Sequence, residues 1–279
     1  MSAVTVRDLR KNYGDHQALR GIDFTIEAGE VFGLLGPNGA GKTTTVEILE
    51  GYRRPDGGTV EVLGIDPQTS GSAWRERIGV MLQSSSLYPA LTVRESLRVF
   101  AGYYTAPRDP DEVIGIVGLT EKRDARVRTL SGGQQRRLDL GLALIGDPEL
   151  IFLDEPTTGF DPGARRSAWD TIRELRALGK TILLTTHYLD EAAQLADRVA
   201  VLRDGVIVRE GSPAELTGGI VETEIRYLRD GEEIVEHIVD PTRRLHELTA
   251  EALARGEELA GLEVRRPTLE DVYLELTGE

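Results

Sequence analysis

The sequence predicts an α/β domain that carries a helical insertion and is followed by a small α+β unit. Three observations predict it. Continuous apolar or β-branched runs alternate with helical patterns through the first 210 residues, as strands covered on both faces do. From about residue 92 to residue 146 the pattern is helical only. After Gly211 the texture changes, and the charge with it: residues 212–279 hold 17 acidic and 7 basic side chains, a net of −10 out of −14 for the chain.

Val31-Phe32-Gly33-Leu34-Leu35 reads as the first buried strand and Ile78-Gly79-Val80-Met81-Leu82 as the next. Leu150-Ile151-Phe152-Leu153 and Thr181-Ile182-Leu183-Leu184-Thr185-Thr186 follow. Asp204-Gly205 between two apolar runs signals a hairpin. Beyond it, a strand over 221–228 turns at Asp230-Gly231 into 234–239. A helix over about 242–254, a short strand and a last helix from Pro267 complete the chain. The two units are expected to be residues 1–215 and 216–279.

At 279 residues, with 40% hydrophobic and 29% charged side chains, the composition is that of a globular protein. No apolar run approaches the roughly 18 residues of a membrane span, and the start Met1-Ser2-Ala3-Val4 predicts no secretory leader. The absence of cysteine excludes disulfides, zinc-thiolate sites and thiol catalysis, and is compatible with a reducing cytoplasm. An acidic chain without Lys/Arg clusters offers no footprint for nucleic acid. Only four lysines stand against 29 arginines, so each lysine is informative.

One of them lies in Gly36-Pro37-Asn38-Gly39-Ala40-Gly41-Lys42-Thr43, which satisfies G-x-x-x-x-G-K-[ST]. The glycines let successive backbone N–H groups turn inward around phosphate oxygens. Lys42 supplies a point charge to the β and γ phosphates, Thr43 offers a hydroxyl to Mg2+, and the helix dipole points at the anion, with Thr44 next in the loop. The pattern arises by accident in about 1 chain in 100 of this length, but here it also has a strand before it and an apolar helix after it.

The strand 150–153 ends in Asp154-Glu155-Pro156. In a parallel sheet ligands sit beyond the carboxyl ends of strands, so Asp154 is placed to hold Mg2+ and Glu155 to take a proton from an attacking water. His187, at the end of the strand 181–186, is placed for a γ-phosphate contact. Gln83 ends the strand 78–82 in the same way, a weak signal taken alone.

Leu130-Ser131-Gly132-Gly133-Gln134 precedes an amphipathic helix. Ser131 at the N-cap and Gln134 three residues on make a capping box, and a glycine-rich helix start is also an anion site, so both readings hold together. The run LSGGQQRRLDLGLALIGDPELIFLDEPTTGFDP, with Ser131 placed 23 residues before Asp154, resembles the signature, Walker B and D-loop block of ABC transporter ATP-binding subunits. The resemblance spans about residues 2–215 and implies a P-loop NTPase of ABC type, with an antiparallel β part at the N-terminus and the helical insertion as a subdomain. It implies that Ser131 and Gly133 touch the γ-phosphate of an ATP held by another subunit, and that Tyr13 stacks on adenine. It also makes Gln83 the Q-loop residue and metal ligand, His187 the switch histidine and Asp161 the D-loop acid; on the residues alone, Asp161 is equally an N-cap before Pro162. Phe160 stands where leucine is common in that loop.

The chain has one phosphate loop and one signature, so a head-to-tail pair would complete two sites by two-fold symmetry. The segment 87–95, Leu87 to Glu95, resembles the part that receives a membrane partner, and the ending from Arg266 to Gly278 resembles daunorubicin-resistance-type exporter ATPases. Those are bacterial subunits on the inner face of the cell membrane, paired with a separate permease, which implies export of a drug-like, lipid or polysaccharide cargo. The alternative is a non-transport ABC ATPase that clamps a cytoplasmic partner. The acidic unit 216–279 would serve regulation, dimerisation or docking, or be a solvated stabilising face.

Overall fold

The computed structural model describes residues 1–81, 87–218, 223–229, 231–265 and 268–277. Gln83, together with Arg266, Pro267 and Gly278 of the ending, lies outside the described residues. The chain divides into two compact units, Met1–Ser212 and Pro213–Glu279.

The first unit opens with two long strands, β1 (Ser2–Tyr13) and β2 (His16–Glu27), paired antiparallel. Then come β3 (Val31–Leu35), α1 (Lys42–Leu49), β4 (Gly57–Val62), the short α2 (Ser72–Arg75) and β5 (Ile78–Met81). The helical part follows as α3 (Val93–Ala101), α4 (Pro110–Ile116) and α5 (Gly132–Leu144). The unit closes with β6 (Leu150–Asp154), α6 (Pro162–Ala177), β7 (Thr181–Thr186), α7 (Leu189–Leu195), β8 (Arg198–Arg203) and β9 (Val206–Gly211).

Six of these strands form one sheet in the order β5-β6-β7-β3-β8-β9, parallel except for the last hairpin; β2-β1-β4 form a second, antiparallel sheet. Every residue of β3, β6 and β7 is buried, which explains why they read as continuous apolar runs. Alternate side chains still face opposite layers. Ile151, Leu153, Ile182 and Leu184 pack with the helical part through Val93, Leu97 and Leu138. Leu150, Phe152 and Leu183 pack with α1 and the antiparallel sheet through Ile48, Val4 and Phe24. Truncating Phe152, fully buried between these layers, would cost about 3–5 kcal/mol.

The helical part has sharply defined starts. Thr92 and Glu95 make a capping box on α3, and Asp109 caps α4 ahead of Pro110. For function the useful result is the sheet order: β3 lies between β7 and β8, and Asp154 at the end of β6 pairs with Thr185 of β7. The carboxyl ends of β3, β6 and β7 therefore open on one edge.

In the second unit α8 (Pro213–Gly218) leads to β10 (Thr223–Arg229) and β11 (Glu232–Ile238), which form a hairpin. α9 (Pro241–Arg255), β12 (Glu263–Arg265) and α10 (Leu269–Thr277) follow, the sheet order being β11-β10-β12. Ile225, Tyr227 and Leu248 make its core. Below the core Glu236 accepts from Tyr227 Oη (2.8 Å) and from Arg244 Nε and Nη2 (2.6 Å each). No described helix is long and apolar enough to cross a membrane.

Candidate nucleotide site

The loop between β3 and α1 is held tightly from behind. A Cβ on Gly36 would stand 2.3 Å from the carbonyl oxygen of Leu202 on β8, so only glycine lets the loop leave the sheet there. Gly41 has φ +110°, and its missing Cβ would stand 2.7 Å from the Ala18 carbonyl oxygen. Lys42 begins α1 with its side chain buried, and its ammonium donates to the carbonyls of Gly36 (2.6 Å) and Pro37 (3.1 Å). Burial pushes this lysine below the usual ammonium range, and the nearby Glu155 and Asp154 charges oppose that shift. A desolvated cation ringed by neutral carbonyls gains from an anion that replaces them.

An open pocket lies in front of the loop. Asn38, Gly39, Gly41, Lys42, Thr43 and Thr44 line it together with Tyr13, His16, Ala18 and Glu155; Gly36, Pro37 and Ala40 complete the loop. Tyr13, 41% exposed, presents a ring to this pocket, and its hydroxyl lies 3.4 Å from Thr44 Oγ1. The guanidinium of Arg53 stands 5.1 Å from the ring centroid and is paired with Glu47.

The acids end β6 in different surroundings. Asp154 is buried and accepts from Thr185 Oγ1. Glu155 has φ +47°, a conformation that costs a non-glycine residue about 1–3 kcal/mol and persists only where the surroundings impose it. Here they do: Glu155 N–H donates to Thr185 O (3.1 Å) and Oγ1 (3.2 Å), and Arg136 from α5 donates to the carbonyls of Asp154 (2.8 Å) and Glu155 (3.1 Å). The carboxylate is aimed by Thr158 Oγ1, which donates to Oε2 at 3.1 Å, and by His187, whose Nδ1 is 3.3 Å from Oε1. Thr43 and Asp154 offer a hydroxyl and a carboxylate, the hard oxygen donors that suit Mg2+.

Ser131, Gly132, Gly133, Gln134 and Asp161 do not line this pocket. Ser131 caps α5: Gln134 N–H donates to its hydroxyl (3.3 Å), and Ser131 N–H donates to Gln134 Oε1 (3.0 Å). Asp161 caps α6, accepting from Gly163 N–H (2.9 Å) and Ala164 N–H (3.0 Å), bonds that hold its carboxyl below the usual range. Ser131, Gly132 and Asp161 are exposed. The structure thus gathers Tyr13, the loop and Glu155, with His187 beside Glu155, and leaves the signature and Asp161 on other surfaces.

Four side chains at the site escape sequence reasoning: His16, Thr185, Arg136 and Thr158. Thr185 and Thr158 carry no signal beyond their strand and loop. Arg136 is the one a signal marks, as a charge on the inward stripe of α5.

A phosphate loop on the edge of a parallel sheet, an acid pair at a neighbouring strand end and a capped glycine-rich helix define a nucleotide-hydrolysing cassette. The ABC transporter family model matches residues 19–158. Nod factor export ATP-binding protein I of Rhizobium etli is 40% identical over 297 residues, covering 100% of this chain and 94% of the relative. Daunorubicin resistance ATP-binding protein DrrA3 of Streptomyces coeruleorubidus is 41% identical over 307 residues, covering 100% and 96%. Among solved structures, CbiO1 from Clostridium perfringens, part of the ABC transporter complex CbiONQ, superposes with a TM-score of 0.71 at 30% identity, covering 78% of this chain and 91% of its own. The dimeric post-hydrolysis cassette MJ0796, bound to ADP and Pi, gives 0.68 at 26% identity, covering 75% and 98%. The chain belongs to the ABC transporter family, as an ATP-binding subunit that hydrolyses ATP and is homologous to export ATPases. The family expected from LSGGQ and its spacing is borne out.

Proposed function

We propose that this subunit holds one ATP with residues 36–44, with Tyr13 against the adenine and Thr43 and Asp154 toward Mg2+, and that a second ATPase subunit completes the site with its Ser131, Gly132, Gly133, Gln134 and Asp161. The observation that carries this reading is the separation of the halves: the pocket walls include Tyr13, Lys42, Thr43, Thr44 and Glu155, while the signature residues stand outside it. Two copies set head to tail complete two sites at once. Supporting this arrangement, the similar cassette MJ0796 is a dimer.

On ATP entry Lys42 exchanges the carbonyls of Gly36 and Pro37 for phosphate oxygens, gaining charge-assisted bonds. Mg2+, when bound, neutralises charge on the β and γ phosphates. Glu155, its backbone pinned and its carboxylate aimed by Thr158 and His187, accepts the proton of the attacking water. Gln83 joins the metal and water on the strength of resemblance.

The relatives' names, Nod factor export and daunorubicin resistance, support an export reading: from the inner face of the bacterial cell membrane, the subunit powers export of a drug-like, lipid or polysaccharide molecule through a separate membrane subunit. Docking near residues 87–95 is supported by Tyr88, 56% exposed, next to Leu87, which packs on the core. The acidic second unit is assigned to regulation, dimerisation or docking.

The test is Glu155→Gln. ATP binding persists, turnover falls about 10²–10⁴-fold, and a dimer accumulates with ATP on size exclusion. Unchanged turnover removes Glu155 as the base.

A further inference from the structure

Beside Glu155 a line of side chains leads away from the pocket. The His187 ring, with Nδ1 3.3 Å from Glu155 Oε1, lies 4.1 Å from the Tyr188 ring, centroid to centroid, the planes 39° apart. The guanidinium of Arg165 covers the Tyr188 ring at 4.1 Å from its centroid. Arg165 sits one turn into α6, its N–H donating to the carbonyl of the cap residue Asp161 (3.0 Å). Four side chains in series, Arg165, Tyr188, His187 and Glu155, thus join the start of α6 to the acid.

The links differ in how firmly they are held. The His187 side chain is 41% exposed, so without a neighbour its ring is free to change rotamer. Tyr188 is the neighbour, and its own backbone is fixed by its N–H donating to Thr186 Oγ1 (2.9 Å). Arg165 Nε is buried without a hydrogen-bond partner, and the guanidinium is held by the Tyr188 ring and by Asp190, whose carboxylate is 3.6 Å away. The attraction of the cation to the tyrosine ring face favours one placement of that ring, against which the His187 ring lies.

Resting on the roles proposed above for Glu155 and His187, we propose that Tyr188 and Arg165 are positioning residues for hydrolysis. Their stack fixes the plane of the His187 ring and, through it, the Glu155 carboxylate. It also ties that geometry to the first turn of α6, where the partner subunit is assigned to engage Asp161. Neither residue lines the nucleotide pocket; both act on kcat through His187.

The experiment uses the full chain. Tyr188→Leu and Arg165→Gln should each lower kcat about tenfold, with the KM for ATP and the ATP affinity changed less than about twofold. Tyr188→Phe and Arg165→Lys, which keep the ring and the cation, should recover most of the loss. In a His187→Ala background Tyr188→Leu should add nothing. The inference is overturned if Tyr188→Leu keeps kcat, if Tyr188→Phe is as damaged as Tyr188→Leu, or if the losses in the His187→Ala background add. Normal turnover in His187→Ala alone would instead remove the underlying role of His187, and the inference with it. A readout independent of turnover is the His187 imidazole signal in 15N-histidine-labelled chain, identified by its loss in His187→Ala. It should move in Arg165→Gln; an unmoved signal contradicts the stack.

Discussion

Asp154 and Glu155 stand at the end of a strand buried on both faces, and Lys42 is buried at the start of the helix that follows another, whereas Ser131, Gly132 and Asp161 stand exposed at the starts of helices. The first group is fixed by tertiary structure: backbone approach at Gly36, hydrogen bonds to Thr185, and Arg136 beneath the acids. The second is fixed by local capping that needs nothing beyond its own helix. The difference teaches how one chain divides an ATPase. The half that must preorganise charge is built into the core, at a desolvation cost. On the proposed reading, the half that must meet and leave another subunit is kept at the surface, on helix starts capped by their own residues.

Substitutions on the two sides should therefore fail differently. The largest effect on ATP affinity is expected for Lys42→Ala, which leaves the loop without its buried cation and should weaken ATP binding about 10- to 100-fold, measured by equilibrium titration. Near-normal affinity would mean that the ammonium remains on its carbonyls when ATP binds.

On the exposed side, Gly133→Asp should leave ATP affinity and melting temperature unchanged while turnover falls about 10²-fold or more. The fold has room for the new side chain, since a Cβ at Gly133 would meet only Ala164 Cβ, at 3.6 Å. An acid in the first turn suits the helix dipole but repels a γ-phosphate. A matching loss of affinity in the single chain would break the division.

The cost of the buried side is read in stability rather than in affinity or turnover. Glu50, at the end of α1, has Oε1 buried without a hydrogen-bond partner, and burial pushes its carboxyl up to about 8 from an ordinary 4.5. Between those values the folded chain keeps a proton that the unfolded chain releases, so stability falls as pH rises, by at most about 1.4 kcal/mol per pH unit. Glu50→Gln is neutral throughout, and its melting temperature relative to the parent should climb between pH 5 and pH 8. A gap independent of pH would contradict a neutral Glu50.

What the sequence makes legible follows the same line. The loop 36–43 is legible because its requirement is local, a set of glycines with one lysine between a strand and a helix. The cap of α5 is legible for the same reason, through Ser131 and Gln134. The surroundings of Glu155 are not, because Thr185 and Arg136 reach it only once β6 and β7 are adjacent and α5 is packed on them. The long β1–β2 pair also resists reading. Asp8 has φ +46°, and the pairing register shifts between Val6 and Leu9, so the alternation that marks a strand breaks mid-run. Pairing of the signature with another subunit came from resemblance, since a capped helix start by itself names no partner.

The central claim, that each chain is half of two sites, is tested most directly by mixing Lys42→Ala and Gly133→Asp chains. Each alone should be nearly inactive. In a mixed pair, the intact loop of one chain meets the intact signature of the other, so ATPase activity should return to about a quarter of the parent level in an equal mixture. A mixture as silent as its components would contradict the account.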